Sequence, residues 1–129
     1  MKIVVDTNVL VSALWTTSNN HIKILDMIGR GELRLCYDYR ILAEYEEVLR
    51  RPKFEFAERD IKGLMSRIKS KGVSIIADPL PFAMLDEKDR PFYEVAVHCG
   101  AYIITGNIKH FPDEPFIMGS AEFLKVLGG

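Results

Sequence analysis

Four stretches of the chain carry oxygen donors where an enzyme could use them. The first is Asp6, which ends the apolar run Ile3-Val4-Val5 and precedes Thr7 and Asn8. A β-branched run of this kind reads as a buried parallel strand, with Asp6 at its carboxyl end. In open α/β sheets that edge is where ligands bind. A carboxylate there, beside a hydroxyl and an amide, suits metal or phosphate chemistry; the alternative is that Asp6 is only the N-cap of a following helix. The second stretch holds Glu44, Glu46 and Glu47. Apolar periodicity does not choose among them. Position along the helix favours Glu44, the closest to the sheet edge, while the alternative makes all three a solvated face. The third is Asp86-Glu87-Lys88-Asp89, in which Asp89 is either a ligand or an N-cap and Asp86 either a ligand or a loop acid. The fourth is Thr105-Gly106-Asn107, directly after Ile103-Ile104. Gly106 permits a tight turn, Thr105 offers a hydroxyl and Asn107 an amide oxygen, or the three form an ordinary strand-ending turn. Hard oxygen donors suit Mg²⁺ or Mn²⁺; the His and Cys clusters that zinc prefers are absent.

The elements that must position these groups alternate along the chain. Residues 2–6 read as the first strand. A helical stretch follows with Ile22, Ile24, Leu25 and Ile28 on its apolar side, ending near Gly29 and Gly31. Leu33 to Tyr37 is a second strand. Asp38 then caps a helix running to about Arg51, where Pro52 stops it. A more charged helix spans roughly Ala57 to Ser70, with Ile61, Leu64, Met65 and Ile68 at helical spacing. Val73 to Ala77 is a third strand, and Asp78-Pro79-Leu80-Pro81 is irregular. The acidic stretch Asp86–Asp89 opens another helix that accepts Pro91 in its first turn and buries Phe92, Val95, Ala96 and Cys99. Tyr102 to Ile104 is a fourth strand, Phe116 to Met118 a fifth, and Ser120 caps a last helix. Such alternation predicts a parallel sheet covered on both faces.

Size and composition are those of a globular domain. The 129 residues suffice for a real core, so residues 1–129 are expected to form a single domain. Hydrophobic residues make up 48% and charged residues 27%, a soluble profile. A formal net charge of -1 weakens a simple DNA-coating role but leaves room for local basic patches around an acidic centre. With no long apolar run and no signal-like start, a cytoplasmic protein without a membrane anchor is expected. Cys36 and Cys99 lie far apart in apolar surroundings and read as reduced core thiols.

Taken in order, these pieces resemble the PIN-domain family. The likeness rests on Val5-Asp6-Thr7-Asn8, on the helix Ile41-Leu42-Ala43-Glu44-Tyr45-Glu46-Glu47-Val48-Leu49-Arg50-Arg51-Pro52-Lys53-Phe54, on the Asp86–Asp89 pair, and on Thr105-Gly106-Asn107. It is closest to the toxin-type, VapC-like PIN proteins of toxin–antitoxin pairs. The resemblance implies a three-layer α/β/α sandwich with a central parallel sheet and an Mg²⁺- or Mn²⁺-dependent ribonuclease site. It also implies an RNA substrate, a homodimer and a protein antitoxin that blocks the site. The family's acids match Asp6, Glu44 and Asp89, with Asp86 an added metal-ligand candidate, and its hydroxyl near the site matches Thr105. Asn107 departs from the pattern, because an acid usually follows Thr-Gly there. An amide oxygen can still coordinate Mg²⁺ or hold a metal-bound water but brings no charge. Weaker metal binding, or one ion in place of two, is the expected consequence; nothing in the pattern supports Asp113 as a substitute. A rival reading is a catalytically weakened PIN module that binds RNA or a protein partner. A phosphatase with an aspartyl nucleophile fits less well, since Asn8 stands where such enzymes keep a second acid.

Phosphodiester hydrolysis needs charge compensation and a nucleophile, both of which a bound divalent ion provides. Carboxylates gathered without the ion repel one another, which raises their apparent pKa values. An RNA backbone also needs cations at the rim. Arg40, Lys88, Arg90, Lys109 and Arg50-Arg51-Pro52-Lys53 are candidates, each equally readable as a solvated charge. His110 invites a general-base role, but no partner is identifiable, so it reads more readily as a surface or packing histidine. Trp15 could stack on a base, although a core or dimer-interface role fits a large aromatic better.

Overall fold

A computed structural model describes residues 1–15, 19–81 and 83–128. Its centre is strand β1 (Lys2–Val5), where Ile3, Val4 and Val5 are each 0% exposed. Successive strand side chains point to opposite faces, so full burial of three in a row means that both faces are covered. The same holds for Ile103 and Ile104 of β4 (Tyr102–Ile104). With β2 (Arg34–Tyr37), β3 (Val73–Ser74) and β5 (Ile117–Met118), these form a wholly parallel sheet in the order β3-β2-β1-β4-β5. Among the described residues, six α-helices flank it: α1 (Thr7–Trp15), α2 (Asn19–Gly29), α3 (Tyr39–Leu49), α4 (Glu58–Lys71), α5 (Arg90–Cys99) and α6 (Ser120–Gly128). This is the expected sandwich. The chain builds outward from β1 on one side through β2 and β3, then crosses to the other side for β4 and β5. The carboxyl ends of β1 and β4 therefore flank the point where strand order reverses, the usual ligand position in such sheets.

Helix α3 follows its sequence signals closely. Asp38 caps it, accepting from the amides of Arg40 and Ile41 at 3.0 Å each, and Ile41, Tyr45 and Leu49 form the buried stripe. The helix stops at Leu49, and Pro52 opens a single 3₁₀ turn, Pro52–Phe54. Helix α5 packs against β1, β2 and β4. It ends at Gly100, whose φ of 65° is left-handed, a conformation that costs glycine little.

Several expectations need correction. Among the described residues, two helices, not one, lie between β1 and β2. Helix α1 escaped notice because its buried residues, Thr7, Val9, Leu10 and Val11, are nearly consecutive and leave no amphipathic period. Ile22, placed on the apolar side of the second helix, is 36% exposed. The third strand is cut to Val73–Ser74, with one further ladder bond from the Ile75 amide to the Tyr37 carbonyl. Beyond it the backbone of Leu80 is claimed by side chains: its amide donates to Glu94 at 2.7 Å and its carbonyl accepts from Arg90 at 3.0 Å. Gly72 makes the α4–β3 junction possible, since a β-carbon there would lie 2.5 Å from the Ile68 carbonyl oxygen and 2.7 Å from that of Leu35. The fifth strand starts at Ile117, not Phe116. Ser120 does not cap α6; its hydroxyl oxygen is buried without a hydrogen-bond partner among the described residues. Cys36 is buried and Cys99 half-buried, and both are free. Burial, with Cys99 adjacent, pushes the Cys36 thiol up to about 12.

Candidate active site

Asp6 extends the central ladder by one residue, its amide donating to the Ile104 carbonyl at 2.9 Å. That bond fixes the backbone from which the carboxylate projects. Oδ1 accepts from the Thr7 amide at 2.8 Å, and Oδ2 accepts from the Thr105 hydroxyl at 2.7 Å and more weakly from the Asn8 amide at 3.4 Å. The residue is 7% exposed. Burial raises its pKa, against the pull of Thr105, Thr7 and the more distant His110.

Glu44 reaches the same place from α3. The next residue, fully buried Tyr45, donates its hydroxyl to the Val5 carbonyl at the end of β1 and so pins the helix to the strand that carries Asp6. The Thr7 hydroxyl donates to Glu44 Oε2 in a short bond. Burial raises the pKa of Glu44; the Thr7 bond opposes this and Asp6 adds to it. The competing acids are engaged elsewhere: Glu46 lies 3.5 Å from Lys69 and Glu47 3.0 Å from Arg51.

Asp89 closes a 3₁₀ turn, Glu87–Asp89, and immediately precedes α5. It makes no side-chain cap bond, so the N-cap alternative falls away. Its Oδ2 is fully buried yet has no hydrogen-bond partner among the described residues. Burial, then the nearby Asp6 and Asp86 carboxylates, push its pKa up to about 6 against the opposing effect of His110. Asp86 opens the turn and accepts from the Lys88 amide at 3.0 Å.

Thr105 links two strands' ends. It is 1% exposed, donates to Asp6, and accepts from the Asn107 amide at 2.9 Å. The Gly106 amide donates to Asn8 Oδ1 at 3.2 Å. Asn107 follows Gly106 as an exposed residue and opens a 3₁₀ turn, Ile108–His110. Thus Asp6, Glu44, Asp89 and Thr105 share the sheet edge at the reversal of strand order, with Asp86 and Asn107 at its margin.

Other candidates fare differently. Arg40 is not a free rim cation, being clamped between Asp38 at 2.7 Å and Glu94 at 2.8 Å. Arg90 pairs with Glu87 and Glu94, Arg50 with Glu58, and Arg51 with Glu47. Lys53 sits over the Phe54 ring, 5.1 Å from its centroid. No ion pair to Lys88 or Lys109 occurs among the described residues. Trp15 is not a core residue: it is 60% exposed and meets Phe54 edge-on at 5.2 Å. His110 does have a partner, Asp89 Oδ2 at 3.7 Å. The sequence shows Thr7 beside Asp6 but not its bond to Glu44, and it leaves the positioning role of Tyr45 unread. Thr7 had a signal in its adjacency to Asp6; Tyr45 had one in its place on the Ile41–Leu49 stripe, where a phenol must find a buried acceptor.

The donor set fits a divalent cation. Crowded, half-buried carboxylates with raised pKa values and an orphaned buried oxygen are stabilised by a hard positive ion. Residues 2–109 match the PIN domain as a family. The chain belongs to the PIN-domain family. A PIN fold is also what a structural likeness supports: a chain in the crystal structure of VapBC2 from Rickettsia felis bound to a DNA fragment from their promoter superposes with a TM-score of 0.59. The likeness covers 92% of this chain and 96% of that one at 16% sequence identity. No curated protein matches the PIN chain in sequence.

Proposed function

We propose that this PIN protein, acting as one domain over residues 1–129, is a metal-dependent endoribonuclease and the toxin of a toxin–antitoxin pair. The observation that carries the reading is the meeting of Asp6, Glu44 and Asp89 beside Thr105 at the sheet's reversal point. Asp6, Glu44 and Asp89 would hold Mg²⁺ or Mn²⁺, with Asp86 as a further ligand. The bound ion supplies Lewis acidity toward the phosphoryl oxygen and a water of lowered pKa.

The chain's own residues do the positioning. The Thr7 amide and Thr105 hydroxyl hold the two Asp6 oxygens, fixing the carboxylate's orientation in advance. The Thr7 hydroxyl does the same for Glu44. Thr105 also ties Asn107 to this network through its amide, leaving the Asn107 side chain free to meet water or phosphate. Lys88 and Lys109 are the rim cations available to an RNA backbone. An antitoxin that occludes the edge, and a homodimer, belong to the same reading. The VapBC2 complex supports the antitoxin by fold likeness.

The test is cleavage of single-stranded and hairpin RNA with Mn²⁺ or Mg²⁺. Wild type is expected to cut, and Asp6→Asn to lose at least about a hundredfold in rate, as removal of a key charge from a preorganised site does. Equal activity in both would overturn the assignment. Asn107 supports a second reading, a binding module with weakened chemistry. Under the nuclease reading Asn107→Asp tightens metal binding and speeds cleavage; tight metal and RNA binding with no cleavage by either protein would favour the module.

A further inference from the structure

Asn107 leaves the site one carboxylate short, and His110 lies on the 3₁₀ turn that Asn107 opens. A His110 ring nitrogen and a carboxylate oxygen from each of Asp86 and Asp89 all lie within 4.8 Å of one another. We infer that His110 is a metal ligand, and that with Asp86 and Asp89 it makes a mixed nitrogen–oxygen site that selects Mn²⁺ over Mg²⁺. This rests on the reading of the edge as a divalent-cation centre and specifies its ion.

Three observations carry it. First, Nδ1 of His110 stands 3.7 Å from Oδ2 of Asp89. That is too long for a hydrogen bond, whereas a charge-assisted His–carboxylate bond closes to about 2.7–2.9 Å. Two donors on one ion, each about 2.1 Å from it, stand roughly 3–4.2 Å apart. Second, the same Oδ2 is buried and makes no hydrogen bond among the described residues, in a side chain 13% exposed. A buried oxygen without a partner is costly, and a shared cation satisfies it where the distant imidazole does not. Third, the backbones that present the donors are held. The Asp89 amide donates to the Asp86 carbonyl at 3.0 Å, and the His110 amide to the Asn107 carbonyl at 3.0 Å. The His110 side chain, 51% exposed, is free to make the last small adjustment.

The chemistry then sets the ion. Mg²⁺ takes oxygen ligands almost exclusively, whereas imidazole suits first-row transition ions. Replacing a carboxylate by a neutral nitrogen lowers the charge that holds Mg²⁺ and adds a donor that Mn²⁺ accepts. Asn107 and His110 together therefore shift the preference of the site as well as its strength.

Pulsed electron paramagnetic resonance of the Mn²⁺-loaded full chain tests this directly, since a coordinated imidazole imprints a nitrogen hyperfine coupling. The coupling is expected in wild type and in His98→Gln, and absent in His110→Gln. Calorimetric titration should show Mn²⁺ affinity falling at least about tenfold in His110→Gln, the loss that even an outer partner of a ligand causes. Mg²⁺ affinity should change far less. His110 is exposed, so circular dichroism should find the variant folded. Mn²⁺ bound without nitrogen coupling in wild type, or bound equally by His110→Gln, overturns the inference and leaves the nuclease reading standing. Nitrogen-coupled Mn²⁺ with no RNA cleavage does the reverse. No Mn²⁺ binding by wild type overturns both.

Discussion

The carboxyl of Asp89 titrates near 6 because burial strips it of water and because Asp6 and Asp86 stand beside it. An acid whose folded pKa is raised favours the folded state while protonated. That contribution is complete below its ordinary value of 3.8 and is lost as pH rises through about 6. At neutral pH without divalent ions the ionised group is thus a liability. Asp89→Asn should therefore be more stable than wild type at pH 7, by roughly 1–2 kcal/mol, with the difference vanishing toward pH 4. Thermal melts across pH in chelator measure it, and a lower melting point for the variant at pH 7 would contradict the account. Single residues were the hardest scale to read from sequence. Periodicity could not single out Glu44, because Glu46 borders the other side of the apolar stripe equally well. The choice is made by a hydroxyl on another element, Thr7, and by the ion pairs that occupy the other two. His110 lacked a visible partner for the same reason, since Asp89 comes to it through the fold.

Elements were more legible where their signals are local. β1, β2 and β4 are apolar runs with turn formers at their ends, and α3 carries both its cap, Asp38, and its stripe. Legibility failed where an element lacks a period, as in α1, or where tertiary partners overrule propensity. Ile75 and Ile76 continue the β-branched pattern of the third strand, but Ile76 is 91% exposed, and the chain turns away to hang Leu80 on Glu94 and Arg90. The α3–β1 joint offers a clean test. Tyr45→Phe removes only the hydroxyl that reaches the Val5 carbonyl, leaving a buried acceptor unsatisfied. The expected loss is about 1–3 kcal/mol in urea unfolding. Because the joint also sets Glu44 against Asp6, weaker Mn²⁺ binding should accompany it; a variant as stable as wild type would mean the bond carries no weight.

For the whole molecule, sandwich and strand alternation were readable because a parallel sheet buried on both faces leaves continuous apolar runs. Strand order was not, since nothing local in Tyr102–Ile104 says that it pairs with β1. A cation held jointly by Asp6, Glu44 and Asp89 would stabilise the elements that carry them. Mn²⁺ at a hundredfold excess over its dissociation constant should stabilise the fold by about 2.7 kcal/mol. Asp6→Asn should lose most of that gain in a melting experiment, and an equal gain would put the ion elsewhere. No helix among the described residues is long and apolar enough to cross a membrane. The Asp6–Thr105 hydrogen bond spans 99 residues, which has a consequence for synthesis. Contacts so distant in sequence form late, after the loop between them has closed. On a ribosome, Asp6 emerges well before Thr105, 99 residues later, and waits for it. A chain interrupted anywhere between carries the Asp6 carboxylate without the hydroxyl that orients it, so the acidic edge would stay unassembled until β4 has docked.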